Sequence, residues 1–225
     1  MSTPTLLGEQ VYQQIRVDIQ NGVIRPGRRI TEEWAAAHYS ASRTPVREAC
    51  RRLAEEGLLT HEPRRGFRVP PVSAREIDEL YDLRRVLEVH AARRAAAASA
   101  HHADVLDELR RTWETQKFKP GEQVVYNDEQ FHRTLATIGG NGQLVLLLDA
   151  ISARIRFFRM NDFLHRDRIA TTKHQHVQIL AAISDGDGDL AAALLHAHIS
   201  ESQRAVLDAV AAVSSTVTPA EPPRT

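Results

Sequence analysis

Residues 40–60 read SASRTPVREACRRLAEEGLLT, and this stretch combines a helix pattern with charges that the helix itself does not need. Thr44 followed by Pro45 predicts a helix start, because threonine caps helix N-termini and a proline at the first helical position loses no hydrogen bond. Apolar residues then recur at helical spacing. Arg43 and Arg47 lie off this apolar stripe in the first turn, where cations oppose the helix dipole. We therefore expect these two arginines to serve something outside the protein rather than helix stability.

The composition is that of a water-soluble protein with a real core. The chain has 225 residues, 42% of them hydrophobic and 26% charged, which is enough for two modest domains. The net charge is zero, but residues 1–70 carry 11 arginines against eight carboxylates, an asymmetry too mild to indicate nucleic acid by itself. The single cysteine, Cys50, excludes an internal disulfide and any cysteine-rich metal knuckle. No stretch resembles a signal peptide or a membrane span, so we expect a cytoplasmic protein without membrane contact.

The first 70 residues contain a series of short predicted elements. Two helices are predicted before the quoted stretch, over residues 6–21 and, capped by Thr31, over residues 31–39. After it, LLTHEPRRGFRV (58–69) places two short apolar segments around a turn and predicts a β-hairpin. Three helices followed by a hairpin is the order of a winged helix-turn-helix domain, which we assign to residues 1–70.

The rest of the chain predicts an all-α domain. PPVSA (70–74) indicates a short, stiff segment between two domains. A linker is therefore expected over residues 71–74 and the second domain over residues 75–213. A polar, proline-containing tail over residues 214–225 is expected to be disordered. No alternating strand pattern occurs, and the fold class is therefore mainly α. Breaks that contain glycine or proline occur at residues 119–121, 139–141 and 185–188, and six helical segments are expected, over residues 73–99, 103–117, 121–138, 142–163, 167–184 and 188–212.

The quoted helix has the residue types that a DNA-reading helix needs. In a helix-turn-helix domain, the N-terminal residues of the second helix enter the major groove. Arginine suits that place because its planar fork grips guanine or phosphate at two points. Arg43, Thr44 and Arg47 match this requirement. A second cationic cluster is expected at the tip of the hairpin, around Gly66, from Arg64, Arg65 and Arg68.

Two segments of the first domain resemble a known family. IQNGVIRPGRRITEE (19–33) and SRTPVREACRRLAEEGLLTHEPRRGFRV (42–69) are similar to the N-terminal domain of GntR-type bacterial transcription factors. The resemblance implies that operator DNA is contacted by Arg43, Thr44, Arg47 and Gly66, together with Arg51 or Arg65. The second helix departs from the family pattern, since Ala35 and Tyr39 stand where leucines are usual and Ser40-Ala41 stands where Gly-Val is usual.

The second half contains histidines at positions that suit a metal. Asp128 and His132 are four residues apart and share one helical face. In KHQHVQIL (173–180) and LLHAHI (194–199), one histidine of each pair should face inward, and His176 and His198 share their faces with apolar residues. One carboxylate and three imidazoles suit Zn²⁺ or Ni²⁺, with Mn²⁺ and Fe²⁺ also compatible. Each of the four taken alone is more often a satisfied core or surface residue.

The same region resembles a ligand-binding domain. LYDLRRVLEVHAA (80–92), DEQFHRTLATIGGNGQL (128–144) and HVQILAAISDGDGDLAAALLHAHI (176–199) are similar to the FCD domain of the FadR-like branch of GntR-type regulators. The resemblance implies a six- or seven-helix bundle in which a divalent metal leaves positions open for a small-molecule effector, often a carboxylate. Its ligands would be Asp128, His132, His176 and His198. Arg84 is the candidate for gripping the carboxylate, although an ion pair on the surface or between helices would also explain it.

Two classes of function fit these features. The first is a ligand-responsive transcriptional regulator, a repressor by resemblance, whose homodimer would match the half-sites of a near-palindromic operator. The second is a metal-dependent hydrolase that activates water at the Asp/His site. The hydrolase lacks a convincing general base, because Glu129 should face away from Asp128, and no HExxH or GxSxG pattern occurs. We therefore predict a regulator and not an enzyme.

Overall fold

The computed structural model describes residues 6–71 and 73–216 and divides the chain into two compact units. The first unit is Met1–Val72 and the second is Ser73–Thr225. The first contains three helices and a small sheet, and in the second every regular element of the described residues is a helix. The predicted class, a winged helix-turn-helix followed by an all-α bundle, is confirmed.

The first unit is built on three helices and three short strands. The strands form an antiparallel sheet in the order β1-β3-β2, in which Phe67 lies opposite both Ile30 and His61. The sequence pattern predicted the β2–β3 hairpin but not β1, because a two-residue strand shows no alternation. The elements are α1 (Leu6–Gln20), β1 (Arg29–Ile30), α2 (Glu32–His38), α3 (Arg43–Glu55), β2 (Thr60–Glu62) and β3 (Gly66–Arg68).

Helix α3 buries the stripe that its sequence predicts. Val46, Cys50 and Leu53 are fully buried, and α3 packs against α1. The prediction of Thr44 as the N-cap is wrong, because the helix begins at Arg43 and Ser42 takes the cap position with an extended backbone. Proline fits anywhere in the first turn, where the backbone N–H groups have no partner inside the helix, so it does not fix the starting residue.

The second helix packs in spite of its departures from the family pattern. Ala35 is fully buried, and the Tyr39 hydroxyl donates a 2.7 Å hydrogen bond to Asp18 of α1. Burial and the neighbouring Asp18 carboxylate raise the pKa of Tyr39, so the phenol stays protonated and can donate. A polar contact between α1 and the C-cap residue of α2 thus stands where an aliphatic side chain is usual.

Gly66 is required where the wing meets β1. Its φ is +88°, and a Cβ at this position would lie 2.6 Å from the Ile30 carbonyl oxygen. Both the backbone conformation and this close approach favour glycine. The wing therefore packs closely against β1, the strand that immediately precedes α2.

The second unit is a bundle of six helices within its described residues. The predicted segments agree with the helices to within a few residues, except that the last helix continues to Thr216, past the predicted end of the domain at Val213. Positions 217–225 of the predicted tail lie outside the described residues. None of the helices in the described residues combines the length and hydrophobicity that a membrane span requires. The helices are α4 (Ala74–Ala97), α5 (Ala103–Thr115), α6 (Glu122–Ile138), α7 (Gly142–Asp162), α8 (Arg166–Ser184) and α9 (Gly188–Thr216), with a 3₁₀ turn at Ser99–His101.

The packing of the bundle leads toward a polar centre. The two longest helices, α4 and α9, pack along each other, α6 packs against α4 and α7, and α8 packs against α5 and α9. The buried side chains are mostly apolar, but α4, α6, α7, α8 and α9 each also bury at least one charged or polar side chain. These buried polar groups form the candidate site of the second unit.

Candidate functional sites

The predicted DNA-contacting residues of α3 are all exposed. Arg43, Arg47 and Arg51 are spaced four residues apart and so share one face of the helix, and Thr44 lies beside Arg43. Arg43 contacts Glu33 of α2 with a single nitrogen–oxygen distance of 3.4 Å. The face opposite the buried stripe is thus the arginine face that the sequence predicts.

The wing tip carries two exposed arginines rather than three. Arg64 and Arg65 lie at the turn between β2 and β3 and are exposed. Arg68 is held inside the sheet instead, since it donates to the Glu62 carboxylate at 2.6 Å and to the Gly27 carbonyl at 3.3 Å. Arg68 therefore fixes the wing and is not a tip residue.

A cleft of about 530 Å³ joins the two predicted DNA-contacting elements. It is open to solvent and lies between the start of α2, the start of α3 and the wing. Its lining brings together residues from both elements, with cationic and anionic groups on its rim: Glu32, Glu33, Arg43, Arg64, Arg65 and Gly66.

The four predicted metal ligands converge in the bundle. One ligand atom from each of Asp128, His132, His176 and His198 lies within 4.8 Å of the other three, and all four side chains are buried. Asp128 and His132 come from one face of α6, whereas α8 and α9 supply one histidine each. The helical faces thus select the histidines that meet, since His174 and His196 of the same doublets are exposed.

The geometry of the cluster fits a divalent ion. The Nε2 atoms of His176 and His198 are 3.3 Å apart, about the separation of two nitrogens bound at ~2.0–2.1 Å to one tetrahedral ion. Asp128 Oδ1 lies 3.5 Å from His176 Nε2, and Asp128 Oδ2 lies 3.5 Å from His132 Nε2. Among the described residues, Asp128 Oδ1 and His132 Nε2 are buried without a hydrogen-bond partner, a deficit that a bound ion would remove.

The protonation state of the three imidazoles is also compatible with metal binding. Burial lowers the pKa of His132 and lowers those of His176 and His198 well below the usual histidine value, with neighbouring charges adding to the effect on the last two. Neutral imidazoles offer the lone pairs that metal binding requires.

Neighbouring side chains orient these rings. Glu88 of α4 contacts His132 Nδ1. The amide oxygen of Gln175 lies 2.7 Å from His198 Nδ1, and the Gln175 amide nitrogen donates to Glu201 at 2.6 Å. Contacts of this kind fix the tautomer of a metal-binding histidine and leave its other nitrogen for the ion.

His176 is fixed by aromatic packing instead. Its ring stacks on Phe131 with centroids 3.6 Å apart and planes within 4° of parallel. The indole of Trp113 meets the same ring edge-on, with centroids 4.2 Å apart. These contacts leave the ring little freedom to turn away from the cluster.

The predicted effector residue Arg84 is buried beside the cluster. Its Nε donates to Glu88 at 2.5 Å, so its ion pair lies within α4 and is neither on the surface nor between helices. Its Nη1 and Nη2 atoms are buried without a hydrogen-bond partner in the described residues. Arg84 therefore keeps donors available for a further group.

A second buried guanidinium, that of Arg159, is missing from the sequence-based prediction. Its Nη2 contacts Asp128 Oδ2, whereas Nε and Nη1 are buried with no hydrogen-bond partner among the described residues. Burial, reinforced by the positive charge of Arg84, lowers the pKa of Arg159 to about 9. Its sequence signature is an arginine on the apolar face of α7, four residues after the buried Ile155.

Two comparisons by sequence decide the family. The model of bacterial regulatory proteins of the gntR family matches residues 7–69, and that of the FCD domain matches residues 79–201. The chain belongs to the GntR family. A related protein, the Nta operon transcriptional regulator of Aminobacter aminovorans, is 36% identical over 83% of this chain and 88% of its own length. The gluconate operon transcriptional repressor of Bacillus licheniformis is 26% identical over 89% of this chain and 85% of its own length.

Solved structures have the same fold. The Escherichia coli protein McbR/YncC superposes with a TM-score of 0.68 at 23% identity, covering 92% of this GntR-family chain and 98% of its own. The matched families and relatives are transcriptional regulators, so this chain is a transcriptional regulator with an FCD domain and not an enzyme. The hydrolase alternative is therefore wrong.

Proposed function

We propose that this GntR-family regulator is a ligand-responsive repressor whose FCD domain binds a divalent metal and a small carboxylate. The observation that carries the proposal is the buried Asp128/His132/His176/His198 cluster with two incompletely paired guanidinium groups beside it. An effector controls DNA binding only if it binds the free and the DNA-bound protein with different affinity. The predicted consequence is a shift in operator affinity when the effector enters the bundle.

The donor set supports a Zn²⁺ or Ni²⁺ ion. Asp128, His132, His176 and His198 would hold it, and the outer contacts from Glu88 and Gln175 would keep the ring nitrogens directed inward. Such an ion, when bound, supplies a Lewis acid that attracts an anionic oxygen.

The charge balance supports an anionic effector. Arg84 and Arg159 offset Glu88 and Asp128, while the lowered pKa values keep the three histidines neutral. A divalent cation would therefore leave an excess of positive charge in a buried site, which an anion would offset. A carboxylate suits this role because guanidinium groups bind carboxylates through paired hydrogen bonds. The open donors of Arg84 and Arg159 would supply them.

The first unit would bind double-stranded operator DNA. In this proposal Arg43, Thr44, Arg47 and Arg51 face the major groove and its phosphates, while Arg65 and Gly66 of the wing meet the neighbouring backbone. The repressor assignment is supported by two relatives named as repressors, those of the gluconate operon and RspR of Escherichia coli. A cytoplasmic location follows from such a function.

A homodimer would match the near-palindromic operator. Helices α4 and α7 pack against each other and both carry large apolar side chains that are more than half exposed. An apolar surface shared by two adjacent helices is a common basis for self-association, and a two-fold dimer uses the same surface on both chains. The side chains are Leu83 and Val86 of α4 and Leu146 and Leu147 of α7.

The direct test is the metal content of the purified protein, measured by mass spectrometry on the wild type, His176→Ala and His174→Ala. About one metal per chain is expected in the wild type and in His174→Ala, because His174 is exposed and lies outside the cluster. His176→Ala should lose the metal. A wild type without metal would contradict the metal site and would make the cluster a polar effector pocket. Gel shifts with promoter DNA on the same samples test DNA binding separately.

A further inference from the structure

Arg47, on the DNA-facing side of α3, is held by a carboxylate from α2. Its Nε donates to Glu32 Oε1 at 2.6 Å and its Nη2 donates to Glu32 Oε2 at 2.7 Å. Parallel hydrogen bonds of this kind fix the plane of a guanidinium as well as its position. Both side chains remain partly exposed, so the pair lies on the surface and not in the core.

The two hydrogen bonds to Glu32 occupy one edge of the Arg47 guanidinium and leave a second edge free to bind another group. The Nε–Nη2 edge faces Glu32, whereas the Nη1–Nη2 edge at the end of the side chain still presents two parallel N–H groups. That end has the geometry that pairs with O6 and N7 of guanine in the major groove. A long, flexible side chain is thereby given one direction before DNA arrives, which reduces the conformational entropy lost on binding.

Overall affinity for DNA does not explain this carboxylate. A negative charge next to a DNA-contacting arginine weakens attraction to phosphate, which is the main source of sequence-independent binding. Stability of α2 does not require it either, because Glu33 also lies in the first turn and provides the same favourable charge. Glu33 forms only one contact, at 3.4 Å, with Arg43, and its side chain is 83% exposed.

We infer that Glu32 is a positioning residue that makes Arg47 read a base instead of a phosphate, and so sets operator specificity. The inference rests on the proposed DNA-binding role of α3. Glu32 would lower the affinity for arbitrary DNA by offsetting one positive charge. It would raise discrimination at one base pair by holding the Arg47 plane in the groove.

The test uses the full-length protein and two duplexes. One is the consensus that the wild type recovers from a random-sequence library, and the other is a scrambled duplex of the same composition. Dissociation constants are measured over a range of salt concentrations for the wild type, Glu32→Gln, Arg47→Ala and the double variant. Glu33→Gln is the matched control, because it removes a similar charge from the same turn of α2 without touching Arg47.

Glu32→Gln should lower the ratio of consensus to scrambled affinity by about tenfold, which is within the discrimination that one arginine–guanine pair supplies. Its affinity for the scrambled duplex should be equal to or higher than that of the wild type. The salt dependence should steepen by about one counterion, because Arg47 becomes available to phosphate. In the Arg47→Ala background, Glu32→Gln should have little further effect on the ratio. Glu33→Gln should keep the wild-type ratio.

Glu32→Asp separates position from charge. The shorter side chain keeps the charge but does not reach both Arg47 nitrogens from the same backbone position. The ratio of consensus to scrambled affinity should therefore fall almost as far in Glu32→Asp as in Glu32→Gln. An unchanged ratio in Glu32→Gln, or an equal loss with and without Arg47, would overturn the inference. A wild type that recovers no consensus would instead refute the proposed DNA-binding function, and circular dichroism of each variant identifies any loss of folding.

Discussion

At the scale of single residues, Cys50 shows how burial in the core of the first unit changes the reactivity of a side chain. The thiol is fully buried in α3, and burial, assisted by the Glu32 carboxylate, raises its pKa to about 12. The thiolate is the reactive form of cysteine, so the folded protein should protect this residue from alkylation and oxidation.

Cys50 gives a prediction with a defined pH window. Because the folded-state pKa lies above the ordinary value of 9.0, the contribution of the protonated thiol to stability is complete below pH 9 and is lost as the pH rises toward about 12. The free energy of unfolding of the wild type should therefore fall more steeply between pH 9 and 11 than that of Cys50→Ala. Denaturant titrations at several pH values measure this difference, and parallel curves for the two proteins would contradict it.

The residue scale also shows where prediction from the sequence stops. The sequence was sufficient to choose the four cluster residues, because the apolar helical face on which each one lies is visible in its own segment. These residues are Asp128, His132, His176 and His198. Arg159 and Glu88 were missed, because their importance depends on which helices face each other in the bundle. Charged residues on an apolar face are the available clue.

At the scale of elements, the Asp128/His132/His176/His198 cluster joins helices that are far apart in the chain. Its four donors come from α6, α8 and α9, and Glu88 adds a contact from α4. A ligand that binds only the folded form stabilises that form by mass action, by about 2.7 kcal/mol at a free concentration of 100 times Kd. A bound ion should therefore stabilise the packing of these helices.

Calorimetry provides the test at this scale. Zn²⁺ or Ni²⁺ added to chelator-treated wild-type protein should raise the melting temperature by several degrees, as the stability gain and the size of the domain imply. His132→Ala should lose the shift, whereas His196→Ala should keep it, since His196 is exposed. The same shift in His132→Ala would place metal binding on other histidines.

The boundaries of the elements were easier to predict than their caps. Glycine or proline breaks located three of the five junctions between the bundle helices, at residues 119–121, 139–141 and 185–188, because these residues favour interruption of a helical backbone. No such residue lies between α4 and α5 or between α7 and α8. The start of α3 was misplaced by two residues, since Ser42, Thr44 and Pro45 are all compatible with a helix start. Strand β1 exists only through its pairing with β3, so no local pattern could indicate it.

At the scale of the whole molecule, the apolar faces of α4 and α7 predict the assembly. The wild type should elute as a dimer in size-exclusion chromatography with light scattering. Val86→Glu and Leu147→Glu should shift it toward the monomer, because two copies of each new charge would meet in a two-fold interface. Leu190→Glu is the control, since Leu190 is similarly exposed on α9. A monomeric wild type, or dimers in both variants, would contradict this interface.

The metal content expected of the Asp/His cluster allows a loss of assembly to be distinguished from a loss of folding. Val86 and Leu147 lie outside the four-donor cluster, so their glutamate variants should keep the wild-type metal content. A variant that lost both its metal and its dimer would indicate misfolding. Weak binding to a palindromic duplex, with metal retained, would show that dimerisation contributes to operator affinity.

The pairing of Glu32 with Arg47 has a consequence for how such a regulator acquires new target genes. On the inference above, replacing Arg47 alone would leave the Glu32 carboxylate facing the phosphate backbone, and replacing Glu32 alone would free the arginine to contact phosphate and lower its discrimination. Either single change would therefore weaken operator recognition before the second change could occur. Evolution of specificity for a different operator should therefore require the codons for Glu32 and Arg47 to change together.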